Sequence, residues 1–344
     1  MKNLLKKLLT KYREYKFYKN NLHLYGSDWN YKHGFKLDTV SVCKINKNNY
    51  KSFLSDREYE TGHPWNGVYS SIIDSKLYLP MLFNNYKEYL PIYYYFKDKC
   101  GFLNLYGECR ERRQEIADFL VLLKDKKRLC LKHTHSSVGQ GFYLVSFENG
   151  NYYVNNELIE RSEFVGFVDS LDEYIITEYI IQHEYSSRIC SSSVNSIRFL
   201  CAWDYEKKEF FLTRCFHRFG CNGNVVDNVG SGNGLLVFVD TETGILKSNG
   251  AINQNNQGDR IAEDIIHPDS GILLTGLQIP NFNEVKQKVL SIANSVSFLR
   301  WVGFDVVITK DGFKIIEVNS LSSLVDQGCD GYLNDVRLRR LFKK

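Results

Sequence analysis

The chain has 344 residues, of which 43% are hydrophobic and 24% charged, with 44 Lys and Arg residues against 40 Asp and Glu residues. This composition excludes a disordered or low-complexity protein, because it supplies enough apolar surface to offset the entropy of the chain. The length predicts about two domains, or one large domain with several lobes. The longest apolar runs are far shorter than the roughly 20 residues of a membrane span, which predicts a soluble protein.

Nine cysteines are scattered along the chain without a C-x-x-C pair. This spacing favours reduced thiols in a cytoplasmic protein over a disulfide framework or a structural zinc site, whose cysteines come in closer pairs. Cys130 and Cys201 lie in strand-like runs and are predicted to be small core residues. The start of the sequence also lacks the cleavage site of a secretory signal.

Residues 1–25 hold seven Lys and Arg residues against Glu14 alone, so the rest of the chain is nearly neutral. Leucines recur in this stretch at helical spacing, which predicts a basic amphipathic helix. Two interpretations stay open. The helix either binds anionic lipid at the inner membrane face, or packs on the body with its lysines in water. Nucleic-acid binding is not predicted, because the remaining sequence has no basic stripe.

The pattern of apolar and polar residues changes along the chain. An irregular aromatic stretch is followed by a helical pattern, and from residue 128 short β-rich runs follow one another, with one late helix over 285–298. Many strands with few intervening helices predict antiparallel sheets and an α+β fold. The predicted parts are an N-terminal basic helix and irregular segment (1–70), a mostly helical part (71–127), a nucleotide-binding lobe (128–190) and a C-terminal lobe (191–344).

The last two predicted strands, 304–309 and 313–319, form the most informative hairpin. Glu317 and Asn319 are two residues apart and therefore share a face of their strand, and Asp305 lies across the hairpin. A carboxylate in an apolar strand is costly to bury unless a cation or a donor compensates it. Three oxygen ligands favour Mg²⁺ over zinc. The alternative is that Glu317 pairs with a core arginine such as Arg198 or Arg214.

A second candidate element is the loop 136–141, which is rich in Ser and Gly and follows Lys132 at the end of a predicted strand. Backbone N–H groups in such a loop can approach phosphate oxygens, and a lysine supplies a point charge for them. The loop is not a Walker A motif, because no helix follows it. Read alone, the same residues are typical of an ordinary turn.

The predicted strand 174–181 is a third candidate. Its apolar edge, with Glu178 toward its end, suits an adenine ring whose amino group meets the carboxylate, although an ordinary buried strand has the same pattern. The three elements follow one another in the order phosphate loop, adenine strand and metal hairpin.

In this order the sequence resembles the ATP-grasp superfamily of carboxylate–amine ligases over roughly residues 70–325, and more narrowly its branch associated with sugar transfer. Further short fragments in the same order support the branch: Gln182 and His183, Ser193 to Arg198, Arg218, Gly220, Asp227 and Asn228, Gly232 and Gly234, His267 to Gly271, Ile279 and Pro280, and Gly303 to Asp305. Two positions depart from the superfamily pattern. Residue 233, between two glycines, is Asn. Residue 303 is Gly where many of these ligases carry Arg, so the role of that arginine is expected to fall more on Arg218.

The resemblance implies an ATP-grasp fold in which two α+β lobes with antiparallel sheets sandwich ATP. It implies that Lys132 binds the α- and β-phosphates and that Asp305, Glu317 and Asn319 bind two Mg²⁺ ions. The other implied ATP contacts are Ser136, Ser137, Gly139 and Gly141 of a lid loop, Glu178, Tyr179 and Ile180 at adenine, and Gln182 or Glu184 at the ribose.

The resemblance also implies that Arg198 and Arg218 steady the transferring phosphate and that Asn228 orients the acceptor. Candidate substrate contacts are Asn195, Asp227 and His267, of which His267 alternatively caps a turn.

The expected function is an ATP-dependent ligase that forms an amide through an acyl phosphate, and joins an amine such as an amino acid to a uronic-acid carboxylate of a surface polysaccharide. The expected partners are thus a small-molecule or glycan carboxylate and an amine. Two alternatives stay open, namely a kinase with the same nucleotide site and a non-catalytic ATP-binding assembly factor.

Overall fold

The computed structural model describes residues 23–105, 113–136, 140–227, 234–253, 259–262 and 265–343. Several predictions fall outside these residues. They concern residues 1–22 of the basic helix, Ser137 and Gly139 of the lid loop, Asn228, and Gly232 of the glycine turn.

The first sheet has seven antiparallel strands in the described part of the chain, in the order β2-β1-β7-β3-β4-β5-β6. Its strands are β1 (Tyr93–Asp98), β2 (Gly101–Asn104), β3 (Arg128–His133), β4 (Phe142–Glu148), β5 (Asn151–Val154), β6 (Glu157–Ile159) and β7 (Tyr174–Glu178). One face packs against two helices through a core that includes Phe119, Leu123 and Phe164. The opposite face is turned toward the second sheet, with Tyr93 and Ile175 in a core that both sheets share.

The second sheet also has seven antiparallel strands among the described residues, in the order β12-β11-β10-β9-β8-β13-β14. Its strands are β8 (Ile197–Asp204), β9 (Glu209–Phe219), β10 (Leu235–Val239), β11 (Leu246–Asn253), β12 (Asp259–Ala262), β13 (Trp301–Thr309) and β14 (Gly312–Asn319). The two sheets and their flanking helices confirm the predicted α+β class.

The helices of the described residues flank these sheets. They are α1 (Asp28–His33), α2 (Leu37–Val42), α3 (Asp56–Gly62), α4 (Ser70–Asp74), α5 (Leu79–Leu82), α6 (Ile116–Lys126), α7 (Arg161–Ser170), α8 (Glu184–Ser187), α9 (Phe282–Ser295) and α10 (Val336–Phe342). Helix α9 buries Val285, Val289 and Ile292 in the core of the second sheet. This apolar spacing of three and four residues is that of an amphipathic helix.

The N-terminal segment that holds α1 to α3 packs on the face of the second sheet opposite to α9. Asn66 accepts the backbone N–H groups of Arg300 and Trp301 at 2.7 and 3.0 Å and donates to the carbonyl of Trp301 at 2.7 Å. The hydroxyl of Tyr59 accepts the indole N–H of Trp301 at 2.9 Å. These bonds attach the segment at the start of β13, beside the predicted metal hairpin.

The expectation of a mostly helical part over 71–127 differs from the structure. Strands β1 and β2 form a hairpin there, and β1 pairs with β7, so the first sheet crosses the predicted division at residue 128. The run of aromatic residues from Tyr93 to Phe96 favours a strand, and Gly101 adopts a positive φ of 107° after the turn. The strand predicted over 174–181 ends at Glu178.

Candidate functional site

A cavity of about 660 Å³ lies between the two sheets and receives side chains from both. The alternation of strand residues decides which side chains reach it. On β3, Lys132 lines the cavity while Leu131 packs in the core against the helices. On β13, Asp305 lines the cavity while Phe304 packs in the opposite core. The period of two residues therefore turns one face of each sheet into core and the other into cavity wall.

One group of polar residues in the cavity wall is called here the lysine cluster, and it consists of Lys76, Lys132, Glu317 and Asn319. Lys76 is buried, and its Nζ atom lies 3.0 Å from Oε1 of Glu317. The same ammonium donates to the carbonyl of Ser136 at 2.6 Å. Lys76 thus links the metal hairpin to the beginning of the loop that the sequence assigns to phosphate binding.

Lys132 contacts the same hairpin from the first sheet. Its Nζ atom donates to the carbonyl of Ile316 at 3.4 Å, at the position where β14 has a bulge between Ile315 and Glu317. Burial lowers the pKa of Lys132, and the nearby Lys76 adds to this effect, while Glu317 opposes it. The ammonium therefore has only one long hydrogen bond among the described residues and stands in a site that would favour an added negative charge.

Asn319 supplies the amide of the lysine cluster. Its Nδ2 atom is buried and has no hydrogen-bond partner among the described residues. Such an atom is costly in a folded protein unless a ligand satisfies it, and rotation of the amide would present its oxygen in the same place. The carboxylate of Glu317 is its neighbour along β14. Together they are oxygen donors suited to a hard cation such as Mg²⁺.

The second group is called the arginine cluster and consists of Arg198, Arg218, Asp227 and Asp305. Asp305 is only 1% exposed and lies between the two guanidinium groups. Arg198 donates to it through Nε and, at 2.9 Å, through Nη2, and Arg218 donates through Nη2 at 2.7 Å. Burial alone would raise the pKa of Asp305, but the two arginines outweigh it and lower the pKa below its usual value.

Asp227 completes this cluster from the loop after β9. Its Oδ2 atom accepts the backbone N–H of Ser196 at 2.7 Å and the hydroxyl of Ser196 at 2.6 Å. Arg218 donates to the same hydroxyl at 2.6 Å and lies 3.8 Å from Asp227. Despite the burial of the guanidinium, Asp227 and Asp305 raise the pKa of Arg218, which therefore stays charged.

Register places the two clusters side by side. Arg198 on β8 pairs with Asp305 on β13, and Asp305 pairs with Glu317 on β14. The side chains form a row across three neighbouring strands. The alternative in which Glu317 pairs with a core arginine is not what the structure shows, because Lys76 pairs with Glu317 and the arginines bind Asp305.

Gly303 explains how Arg198 reaches Asp305. A Cβ atom at Gly303 would lie 2.9 Å from Oγ of Ser322 and 3.0 Å from Cδ of Arg198. The side chain of Arg198 therefore crosses the space that a side chain at residue 303 would fill. Glycine at residue 303, where many of these ligases carry Arg, thus leaves room for the side chain of Arg198.

The residues predicted to bind adenine lie along one edge of the cavity. Glu178, Tyr179 and Ile180 all line it, together with Gly141 and Ser136 of the phosphate loop. Burial raises the pKa of Glu178, although Lys314 at 3.9 Å acts in the opposite direction.

Four predicted residues do not line the cavity. Both ends of the Gln182 amide bond to the chain segment 190–195, and Glu184 lies exposed at the start of α8. Asn195 is 1% exposed and bonds to Gln182, Ser193 and Gly220. His267 is buried, with Nε2 2.8 Å from the carbonyl of Gly220. The side chains of Gln182, Asn195 and His267 therefore hold the loops behind the cavity wall.

Sequence reasoning missed several lining residues. Lys76, Tyr59 and Asp326 stand in no motif. Tyr59 reaches the cavity because the N-terminal segment packs on the second sheet, while Lys76 and Asp326 lie in short segments before α5 and after β14. One feature of the sequence indicates that Lys76 is partly buried, namely the apolar residues Leu77 and Leu79 that follow it. Burial alone does not identify the partner of the lysine.

The sequence matches the family described as sugar-transfer associated ATP-grasp over residues 44–331. The chain belongs to this family. The family match and the two antiparallel sheets confirm the predicted ATP-grasp fold. A comparison with curated proteins finds no match.

Solved structures with a similar chain course have low identity to this ATP-grasp protein. The biotin carboxylase domain of 2-oxoglutarate carboxylase from Hydrogenobacter thermophilus, in complex with MgADP, ADP and bicarbonate, is 10% identical, with a TM-score of 0.43, over 79% of this chain and 45% of that chain. D-alanine–D-alanine ligase from Bacillus anthracis is 12% identical, with a TM-score of 0.38, over 80% of this chain and 66% of that chain. The match spans about half the length of the first of these proteins.

No helix among the described residues of this ATP-grasp protein is both long enough and apolar enough to cross a bilayer.

Proposed function

We propose that this ATP-grasp protein is an ATP- and Mg²⁺-dependent ligase that joins a carboxylate to an amine through an acyl phosphate. The observation that carries the proposal is the row of Arg198, Asp305 and Glu317 across three strands, which sets the arginine cluster beside the lysine cluster in one cavity. Positive charge is concentrated there on four side chains, as the transfer of a phosphoryl group requires.

The nucleotide would lie against the first sheet. Glu178 to Ile180 would meet adenine, and Lys132 would exchange its long contact with a carbonyl for the α- and β-phosphates. An ammonium that is buried with one weak partner gains more from a phosphate than a solvated one, because little water screens the attraction. The loop from Ser136 would then close over the phosphates.

Glu317 and Asn319 would hold the Mg²⁺ ions, and Asp305, whose two oxygens accept bonds from Arg198 and Arg218, would join them by giving up one of these bonds. When bound, Mg²⁺ offsets the negative charge of the phosphate oxygens. Lys76 pairs with Glu317 at 3.0 Å, and it would remain close enough to bind a phosphate once that carboxylate binds Mg²⁺.

The chemistry divides into two substitutions. A carboxylate oxygen of the substrate attacks the γ-phosphorus of ATP, the bond to the β-phosphate oxygen breaks, and ADP leaves. An amine nitrogen then attacks the acyl carbon of the acyl phosphate, the carbon–oxygen bond breaks, phosphate leaves, and the nitrogen loses a proton. Arg218 and Arg198 would stabilise the charge on the transferring group and on the leaving phosphate.

The amine would enter from the end formed by the N-terminal segment. Three acidic residues line this end, namely Asp38, Asp56 and Glu60, against Lys36 as the basic residue from the same segment. Lys36 is already paired with Glu60 at 2.5 Å. An acidic entrance attracts a protonated amine.

Asp326 lies deeper at the same end and is buried. Its burial raises the pKa to about 7, against the attraction of Arg198 and Arg218. A carboxylate with a pKa near neutrality suits the removal of a proton from the attacking amine.

The proposed substrates are a uronic-acid carboxylate of a surface glycan and an amino acid or related amine, in keeping with the sugar-transfer association of the family. Residues 1–25 would hold the enzyme at the cytoplasmic face of the membrane if the acceptor is linked to lipid. Deletion of these residues should then reduce sedimentation with vesicles that contain anionic lipid.

Product analysis tests the proposal. The protein is incubated with ATP, Mg²⁺ and pools of uronic acids and amino acids, separately and together. The ligase predicts ADP and free phosphate only when both pools are present, with a new amide in the mass spectrum. ADP with a stable phosphorylated acceptor would indicate a kinase instead, and the absence of turnover in every pool would favour an assembly factor.

Glu317→Ala tests the site itself. The variant should lose Mg²⁺-dependent ATP turnover by about 100-fold or more, because removal of one group that stabilises transition-state charge costs that much. Its circular dichroism and unfolding midpoint should stay close to those of the parent protein. Glu157→Ala, which removes an exposed carboxylate on β6, is the matched control. Full activity of Glu317→Ala would refute the metal assignment.

A further inference from the structure

Two segments outside the cavity bring together three side chains that the proposed ligase reaction does not use. Cys190 follows α8, and His267 and Asp269 lie in the turn that precedes α9 in the chain. One potential ligand atom from each of these residues lies within 4.8 Å of the other two. Cys190 and His267 are buried, while Asp269 is exposed. The cluster thus combines sulfur, nitrogen and oxygen donors with access from one side.

Each of the three side chains is held in place by a neighbour. The Nε2 atom of His267 lies 2.8 Å from the carbonyl of Gly220, so an N–H there makes Nδ1 the acceptor atom of the neutral ring, where it now accepts the backbone N–H of Ser270 at 3.4 Å. The carboxylate of Asp269 accepts the backbone N–H of Asn222 at 2.8 and 3.1 Å. Outer hydrogen bonds of this kind orient the ligands of metal sites and fix the tautomer of a ligating histidine.

The sulfur of Cys190 lies 3.3 Å from the hydroxyl of Ser192 and 3.5 Å from that of Ser193. These hydroxyl groups can donate hydrogen bonds to a thiolate, which is the form in which cysteine binds a metal ion.

We propose that Cys190, His267 and Asp269 form a binding site for a borderline-soft divalent ion, Zn²⁺ in the first instance. A thiolate and an imidazole select such an ion over Mg²⁺ or Ca²⁺, which prefer oxygen ligands alone. Three protein ligands with one further position are typical of zinc sites that keep a water molecule. A further buried thiol, Cys221, follows Gly220, whose carbonyl orients His267.

The position of the site indicates which parts of the structure a bound ion would hold together. The ion would join the segment of Cys190 and Ser192, of which Ser192 lines the cavity, to the turn of His267 and Asp269, and this turn bonds to Gly220 and Asn222 in the loop between Arg218 and Asp227. The close approach at Gly220 supports this arrangement, because a Cβ atom there would lie within 3 Å of the Ser193 side chain and at 3.0 Å from the carbonyl of Val226. A bound ion would therefore fix the wall of the cavity that holds the arginines.

The sequence did not predict this site, because zinc sites are usually recognised from closely spaced cysteine pairs. Here Cys190 is far along the chain from His267 and Asp269, and they meet only after the segment that follows α8 has packed against the turn that precedes α9.

The experiment uses the full chain and Co²⁺ alone as the probe. The apoprotein, prepared by dialysis against a chelator, is titrated with Co²⁺, and the thiolate-to-cobalt charge-transfer absorption is recorded before Zn²⁺ is added as competitor. We expect the absorption to appear stoichiometrically and to be lost when Zn²⁺ replaces Co²⁺. Metal analysis of protein purified without chelator should show zinc.

Variants make the assignment specific. Cys190→Ser should abolish the charge-transfer absorption, and the exposed Asp269→Asn, which should fold normally, should weaken Co²⁺ affinity by about tenfold or more. The controls are Cys100→Ser, an exposed free thiol, and Asp311→Asn, an exposed carboxylate in the last hairpin turn, which should both bind like the parent. Absence of the absorption in the parent protein, or equal affinity in Asp269→Asn, would overturn the proposal. Rapid alkylation of Cys190 that Zn²⁺ does not slow would overturn it as well, because it would identify a reactive thiol instead.

Discussion

The lysine cluster and the arginine cluster both combine basic side chains with carboxylates in one cavity, but their hydrogen bonding differs. In the arginine cluster both oxygens of Asp305 are taken by guanidinium groups, and Asp227 is bonded to Ser196 and lies beside Arg218. In the lysine cluster the hydrogen bond of Lys132 is long and the amide nitrogen of Asn319 has no partner among the described residues. One cluster is complete without a ligand and the other is not.

This difference separates two tasks within one cavity. A fully bonded group of buried charges keeps a fixed geometry, which is what a transferring phosphoryl group needs from arginines. An incompletely bonded group is a place where phosphate oxygens and a cation gain the most, since they supply the missing partners. Substitutions in the two clusters should therefore change different properties, and three predictions follow from the largest effect to the smallest.

Asp305→Ala should cause the largest loss of stability. It leaves Arg198 and Arg218 buried with their main counter-charge removed, and breaking a buried ion pair from one side costs about 3–5 kcal/mol. The measurement is the free energy of unfolding in urea. Glu317→Ala, on the neighbouring strand, is the matched comparison and should cost less than about 1 kcal/mol, because Glu317 is partly exposed and Lys76 retains its bond to the carbonyl of Ser136. Equal losses would contradict the division between the clusters.

Lys132→Met should have the opposite effect to Asp305→Ala, because it should weaken ATP binding without a loss of stability. The long apolar side chain fits the same space and removes a charge that burial disfavours, so stability should be unchanged or higher. Affinity for ATP, measured by calorimetry, should fall by about 10- to 100-fold, since a hydrogen bond to a charged group contributes about 1.5–3 kcal/mol. Lys124→Met, on the exposed face of α6, is the control for loss of one lysine. Unchanged ATP affinity in Lys132→Met would remove Lys132 from the nucleotide site.

The outcome of the sequence predictions follows the same physical division. The α+β class and the final hairpin were predictable because the alternation of Phe304 and Asp305 is a local pattern that the pleat of a strand turns into two faces. The predicted cavity residues of β3, β13 and β14 do reach the cavity for that reason, and their catalytic roles stay predictions.

What the sequence could not predict depends on contacts between distant segments. Lys76 pairs with Glu317 only because the chain before the first sheet packs against β14. Gln182 carries an amide that suits a ribose hydroxyl and a backbone carbonyl equally well, and only the folded loop shows that it bonds to the backbone of residues 190–195. Polar residue types indicate that a bond will be made, and tertiary packing decides with which partner.

Gly303→Ala should produce the smallest of the three effects and tests whether the course of Arg198 sets the arginine cluster. The added methyl group would lie 3.0 Å from Cδ of Arg198 and 2.9 Å from Oγ of Ser322, which are tighter than ordinary contacts. Overpacking in a tight core costs about 1–3 kcal/mol, and we expect the low end because a serine hydroxyl can turn away. Because Arg198 must shift away from Asp305, ATP turnover should fall by more than this loss of stability explains. Gly166→Ala in α7 has open space around its Cβ position and should stabilise the protein slightly, without effect on turnover. If Gly303→Ala keeps full turnover, Arg218 alone is sufficient to position Asp305, and the fixed geometry of the cluster does not depend on Arg198.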